Sequence, residues 1–193
     1  AKNCRKIKWW SGGSIEERAE DINAMFSDKN VKAIIAQNGG NSAFSILDKI
    51  NYENIKNNPK PFIGFSDITN FHSAFYTKVG LAGFHMGLLT YSLGWVWNDE
   101  MKDKKEIAKD FFLSALTKTQ SLGVIKPISK WECWREGKAE GILFGGNLGV
   151  LGTLIGSEYF PSNEMLKDSI LFWEIDDVPL YRIERVLSQL KYA

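Results

Sequence analysis

Apolar positions along the chain switch between two spacings, and the switches mark its elements. Ile15, Ala19, Ile22 and Phe26 recur at the period of one helix face. Ser14-Ile15-Glu16-Glu17 precedes them as a capping box, with Ser14 bonding to the third helical amide and Glu17 reaching back. Val31-Lys32-Ala33-Ile34-Ile35-Ala36 is short, β-branched and apolar, and predicts a buried strand. A polar glycine loop follows, Gln37-Asn38-Gly39-Gly40-Asn41-Ser42, and then a helix carrying Phe44, Ile46, Leu47 and Ile50. Pro59 and Pro61 bracket the entry to a second strand, Phe62-Ile63-Gly64-Phe65, which ends at Ser66-Asp67. A helix starts at once, with Phe71, Ala74, Phe75 and Val79 on one face, and Leu81 to His85 predicts a further strand.

Strand, helix, strand, helix with short links is the pattern of a parallel α/β sheet. From Gly94 to Gly137 the character changes. A charged helix, Glu100 to Leu116, leads to a stretch with Pro127, Trp131 and Trp134 that reads as a connection. A second unit begins near Lys138. It offers a strand from Ala139 to Phe144, a Gly145-Gly146-Asn147 loop and a helix from Leu148 to Ile155. Past Pro161 comes the strand Ile170 to Glu174. Pro179 then opens a helix buried along Ile183, Val186, Leu187 and Leu190. The expected organisation is an N-terminal α/β domain over residues 1–93, a connecting segment over 94–137, and part of a smaller C-terminal domain over 138–193.

Composition narrows the picture without directing it. The 193 residues are 44% hydrophobic and 24% charged, ordinary for a globular protein with a real core. A formal net charge of +1 argues against a nucleic-acid partner. No apolar run approaches the ~20 residues that span a bilayer, so no membrane partner is expected. The basic start, Ala1 to Lys6, leads into Trp9-Trp10-Ser11-Gly12-Gly13 and not into the apolar core of a signal peptide, which makes the cytoplasm the expected location. Cys4 and Cys133 are far apart, match no metal spacing, and read as free thiols of a reducing compartment.

Three positions carry candidate chemistry. Ser66 stands at the C-terminal end of a buried strand, just before a helix whose amides and dipole favour developing negative charge. The layout resembles a nucleophile elbow, although Ile68 stands where that motif ends in glycine. The alternative is that Ser66 only caps the helix. Gly39-Gly40 ends the neighbouring strand at the same crevice of a parallel sheet and can bring backbone close to a ligand, or can be an ordinary turn. Glu174 closes an apolar strand, where a carboxylate needs a partner or solvent.

Together these residues resemble a family. Lys60 to Thr69 is similar to the nucleophile motif of the LD-carboxypeptidases, serine peptidases that include murein tetrapeptide carboxypeptidases and the microcin C immunity branch. Ser14 to Phe26 resembles the helix before that family's glycine loop, and Asn38-Gly39-Gly40-Asn41-Ser42 resembles the loop. Glu140 to Leu148 resembles the entry to its second domain. Ile170 to Glu174 and Tyr181 to Leu187 resemble its acid-bearing strand and the helix that follows. The order of all five motifs is kept.

The resemblance implies a Ser–His–Glu triad, with Ser66 as nucleophile and Glu174 as the acid. The Gly40 and Asp67 amides would form the oxyanion hole. No residue of the chain matches the family's histidine, which lies well past the Glu motif. The first strand and helix of the family's N-terminal domain also have no counterpart. Of the two histidines, His72 is expected to pack or cap, and His85 lies in a segment resembling a substrate-side loop. Asn38 and Asn41 flank the glycines, closer to the microcin-immunity branch than to the murein one. Asn41, Trp131 and Trp134 are candidate substrate contacts; the tryptophans could stack on a nucleotide-like ligand or cover the domain junction. The implied substrate is a small peptide or peptidyl-nucleotide with a free carboxylate near the scissile amide. No metal or organic cofactor is implied, and a homodimer is left open. The rivals are a murein tetrapeptide LD-carboxypeptidase and an inactive peptide-binding homologue.

Overall fold

A computed structural model describes residues 1–94, 102–125 and 129–193. The expected helix start at Glu100 and the expected break at Pro127 lie outside the described residues.

Helix α1 (Ile15–Ser27) begins on its capping box. The Glu17 amide donates to Ser14 Oγ at 3.2 Å, and the Ser14 amide donates to Glu17 Oε2 at 2.9 Å. Its far end has no basic residue in its last turn. The cation comes from elsewhere: Lys60, 9% exposed, donates from Nζ to the carbonyls of Met25 (2.8 Å), Phe26 (2.8 Å) and Asp28 (2.6 Å). A buried ammonium is tolerable because orphan carbonyls at a helix end accept all of its protons.

The N-terminal sheet is parallel, with β1 (Ile34–Ile35), β2 (Phe62–Gly64) and β3 (Phe84–His85) in that spatial order. Ile34 pairs with Phe62, Ile63 with Phe84, and Gly64 with His85. The expected strand at 31–36 is shorter than its apolar run, although the Ala36 amide still donates to the Ile63 carbonyl at 2.9 Å. The expected helix after the glycine loop is a 3-10 turn, and a second, unexpected helix follows it. A 3-10 turn over Phe44–Lys49 ends at Ile50, and α2 (Tyr52–Asn57) starts afresh because Asn51 accepts from the Asn54 amide.

Both faces of this sheet are covered, as a parallel sheet requires. Phe62 joins Phe26, Phe71 and Phe75 in the main core, with the Phe62 and Phe75 rings 5.0 Å apart and edge-on. Ile63 points the other way, to Leu93 and Phe112. Phe112 belongs to α4 (Lys102–Thr117), so the stretch expected to serve as a connection also roofs the sheet.

The second unit pairs β4 (Leu143–Asn147) with β5 (Ile170–Glu174) in parallel over five positions. The expected Gly145-Gly146-Asn147 loop is strand. A side chain at Gly145 would collide with the Phe172 carbonyl, and one at Gly146 would come within 2.6 Å of Thr69. These glycines let neighbouring backbone and side chains approach the strand; they do not turn the chain. Asn147 caps α5 (Leu148–Leu154), which packs with α7 (Leu180–Tyr192); the short α6 (Asn163–Leu166) lies between.

Helix α3 (Thr69–Val79) bonds the units together. Thr69 Oγ1 accepts from the Asn147 amide at 2.9 Å, and Ser73 Oγ donates to the Tyr159 carbonyl at 2.8 Å. His72 and His85 are enclosed at this junction, their ring centroids 6.2 Å apart. His72 Nε2 lies 2.9 Å from the Gly64 carbonyl, which assigns it the ring proton. Burial lowers the His72 pKa. Burial first, and His72 second, push His85 down to about 4.

Two predictions follow from this packing. Lys60→Ala strands three carbonyls at the end of α1 and is expected to cost about 1–3 kcal/mol of stability; urea unfolding midpoints measure it, and an unchanged midpoint refutes the cap. The second concerns acid. In the unfolded chain His85 takes up a proton near about pH 6.5, whereas the folded chain resists until about pH 4. The unfolded state therefore binds more protons across that window, and stability falls as pH drops through it. Glu174, whose pKa is raised, acts in the opposite direction and is present in both proteins compared. Unfolding at about pH 7.5 and about pH 5 should show a smaller acid loss in His85→Gln than in the parent.

Candidate active site

The site is built on a strained corner. Strand β2 ends at Gly64, Phe65 stays extended, and Ser66 then adopts φ 64°, the left-handed region that non-glycine residues rarely occupy. A 3-10 turn over Ser66–Ile68 runs straight into α3. The strain lifts the serine out of the strand direction, and the half-buried side chain sits at the corner, not within either element.

The glycine loop after β1 lies directly against it. A Cβ on Gly39 would stand 2.9 Å from Ser66 Cβ and 3.0 Å from Ser66 Oγ, and 3.6 Å from the Asp67 amide nitrogen. Any side chain there would displace the hydroxyl. Gly40 follows at φ 140°, and a Cβ on it would be 3.7 Å from Asp67 Oδ2.

Asp67 holds the two pieces together. It is 6% exposed, and Oδ2 accepts from the amides of Ser42 (2.8 Å) and Ala43 (2.9 Å). Oδ1 accepts from Asn70 Nδ2 at 2.8 Å. The sequence marks Asp67 for its backbone amide; its carboxylate clamp spans 24 and 25 residues and leaves no local pattern to read. Arg18, on α1, supports the same loop from outside. Its guanidinium donates to the Ser42 carbonyl (2.7 Å), Ser42 Oγ (2.9 Å) and Ser45 Oγ (3.3 Å). Burial lowers the Arg18 pKa, and the nearby Asp67 and Glu16 carboxylates offset part of that.

Glu174 approaches from the second unit. It ends β5 opposite Asn147, and its side chain is 38% exposed. Asn147 Nδ2 donates to Oε2 at 3.3 Å, while Oε1 lies 3.7 Å from His85 Nε2 and has no hydrogen-bond partner. Burial raises the Glu174 pKa and Asp176 adds to the rise; the Asn147 amide and the backbone amide of Ser66 pull it down. Among the described residues no hydrogen bond joins the carboxylate to the Ser66 hydroxyl. Asn147 and His85 are contacts that sequence reasoning missed as site residues. The sequence places Asn147 only beside two glycines and His85 only at the end of a strand, in a segment resembling a substrate-side loop; neither pattern points to Glu174.

The remaining candidates separate. Asn41 lines a groove of 580 Å³ with Asp67, Asn70, Asn147, Arg182 and Arg185. Trp131 and Trp134 do not line this groove; they are 60% and 91% exposed, on an irregular stretch before β4. His72 is committed to Gly64, away from the serine hydroxyl. Cys4 and Cys133 are both exposed and unpaired with one another. Among the described residues no helix is long and apolar enough to cross a membrane.

This geometry has close counterparts. Residues 1–86 match the family model of the LD-carboxypeptidase N-terminal domain, and residues 140–193 match that of the LD-carboxypeptidase C-terminal domain. A probable murein peptide carboxypeptidase of Bacillus subtilis is 34% identical over 93% of this chain and 53% of its own length. The microcin C7 self-immunity protein MccF of Escherichia coli is 31% identical over 96% of this chain and 59% of its own. The structure of MccF in complex with glutamyl sulfamoyl guanosine superposes with a TM-score of 0.80 at 28% identity, covering 97% of this chain and 61% of that one. The chain therefore spans between half and three-fifths of the length of these relatives. With both family domains matched in order over most of its residues, the chain belongs to the LD-carboxypeptidase family.

Proposed function

We propose that the polypeptide bearing this chain is a serine carboxypeptidase that cleaves an amide close to a free carboxylate. The observation that carries the reading is Ser66 held at φ 64° with the glycine loop pressed on its hydroxyl and Glu174 reaching the same corner. A serine so placed suits attack on a carbonyl carbon. The amides of Gly40 and Asp67 are the proposed oxyanion donors, where preorganised N–H groups stabilise the charge that develops on the carbonyl oxygen. Collapse of the tetrahedral adduct expels the amine and leaves an acyl-serine, which water then hydrolyses. Glu174 is the proposed triad acid, orienting and stabilising a histidine that takes the serine proton. Neither His72, bonded to Gly64, nor His85, facing Glu174, is assigned that role. The base is therefore proposed to lie outside residues 1–193.

The substrate proposed first is a small peptidyl-nucleotide of the microcin-immunity kind, because Asn38 and Asn41 flank the glycine pair and Asn41 faces the groove. A murein tetrapeptide is the second reading, favoured by the 34% identity to a murein peptide carboxypeptidase. The two are separated by offering the complete polypeptide an acidic aminoacyl sulfamoyl nucleoside and a murein tetrapeptide side by side.

Ser66→Ala is expected to lower kcat/KM on the better substrate by at least about 10³-fold, as loss of a triad nucleophile does. Retained turnover would remove Ser66 from the mechanism, and a wild-type polypeptide inert to both substrates would favour a peptide-binding homologue. Gly39→Ala is expected to fold but to lose about 10²-fold in kcat, because the new methyl group displaces the serine hydroxyl. Thermal melts together with kcat test it, and a variant with unchanged kcat shows that the loop does not position the nucleophile.

A further inference from the structure

We propose that His85 is a positioning residue for Glu174: its Nε2–H holds the Oε1 side of the carboxylate, as Asn147 holds Oε2, so that the acid keeps one orientation beside Ser66. The inference rests on reading Glu174 as the triad acid. It adds a residue that the motifs do not assign.

The argument starts from an unsatisfied atom. Glu174 Oε1 is inaccessible to solvent and accepts no hydrogen bond, which is costly for a carboxylate oxygen. The side-chain donor facing it is His85 Nε2, at 3.7 Å. Closing that gap to hydrogen-bond length takes a shift of less than about 1 Å.

The His85 ring is held in place to meet it. His85 sits on β3 in register with Gly64, two residues before Ser66. Its ring packs against Phe65 from the nucleophile strand (6.1 Å between centroids) and Phe172 from the acid strand (5.2 Å). Phe172 lies two positions before Glu174, on the same face of β5. One imidazole thus touches both the strand that presents the nucleophile and the strand that presents the acid.

The other ring nitrogen decides the tautomer. Nδ1 of His85 is buried without a partner. With the proton on Nε2, the ring buries a bare lone pair at Nδ1 and points its donor at a carboxylate. The opposite tautomer would bury an unpaired N–H and set a lone pair against Oε1, which is worse at both ends. Burial keeps the ring neutral near pH 7. A neutral donor orients Glu174 without cancelling its charge, which leaves the carboxylate able to stabilise an imidazolium. Outer partners that fix a reactive group in this way are commonly worth 10–100-fold in activity.

The test compares His85→Gln, whose amide nitrogen reaches the Nε2 position, with His85→Asn, whose shorter side chain does not; His85→Phe keeps the ring and removes the donor. Burial and Asp176 raise the Glu174 pKa while Asn147 and the Ser66 amide lower it, and His85 faces Oε1 at 3.7 Å. NMR titration of ¹³C-carboxyl-labelled glutamate, with the Glu174 signal identified by Glu174→Gln, reads the pairing on the chain itself. The Glu174 pKa should rise by about one unit in the Asn and Phe variants and stay near the parent value in Gln. In the complete polypeptide, kcat should fall about 10–100-fold for Asn and Phe with KM nearly unchanged, and Gln should recover most of it. The Gln–Asn comparison does not require His85→Phe to fold. Equal Glu174 titration in Gln, Asn and parent overturns the pairing. A shifted pKa with unchanged kcat overturns the positioning role. A polypeptide inactive before any substitution instead overturns the carboxypeptidase reading, and the titration then reports on the pairing alone.

Discussion

The bonds from the Asp67 carboxylate to the amides of Ser42 and Ala43 are the interaction on which the site depends. Ser66 is strained and, left alone, would relax toward the strand or the helix that flank it. The next residue prevents this by reaching across to the glycine loop, so the loop cannot leave without stripping a buried carboxylate of its donors. The clamp also explains why the loop must be glycine where it meets the serine. Asp67 pulls the backbone so close that a methyl group at Gly39 has no room. Asn70 on one side and Arg18 on the other keep the clamp from swinging.

The same economy joins the two units. Helix α3 starts at the serine corner, and its first residue, Thr69, takes the Asn147 amide. Asn147 then caps α5 with its oxygen and holds Glu174 with its nitrogen. The placement of Glu174 relative to Ser66 is therefore set by side chains at the ends of elements. Elements positioned by such end-to-end bonds hold catalytic groups more tightly than loops do. The buried histidines belong to this junction, and their resistance to protonation ties its integrity to neutral pH.

Much of this was legible in the residues because the signals are local. The capping box of α1 forms as Ser14 and Glu17 dictate, since both partners lie within one turn. The order of strands and helices around Ser66 follows from the change of hydrophobic period, and β5 covers the five residues Ile170–Glu174 as read. Where reading failed, a distant partner had intervened. Gly145 and Gly146 look like a turn, but Phe172 and Thr69 press on them and they are strand. The helix read over Phe44 to Ile50 forms as a 3-10 turn, and a further, unexpected helix follows it on the Asn51 cap. The charged helix read within the connection forms as α4, but the packing of its Phe112 on Ile63 left no local pattern to read.

The sequence by itself determined the local conformations, the parallel α/β character and the family motifs that single out Ser66, Gly40, Asp67 and Glu174, because each depends on neighbours within a few residues. Only the tertiary structure decided which of these meet. It set Gly39 on the Ser66 hydroxyl, gave the Asp67 carboxylate the clamp of a loop 25 residues away, sent Lys60 to cap α1, and placed His85 between the strand that leads to Ser66 and the strand that ends at Glu174. The reason is physical: buried polar groups must find partners wherever packing brings them, and that choice depends on the closed core, which no stretch of residues encodes on its own.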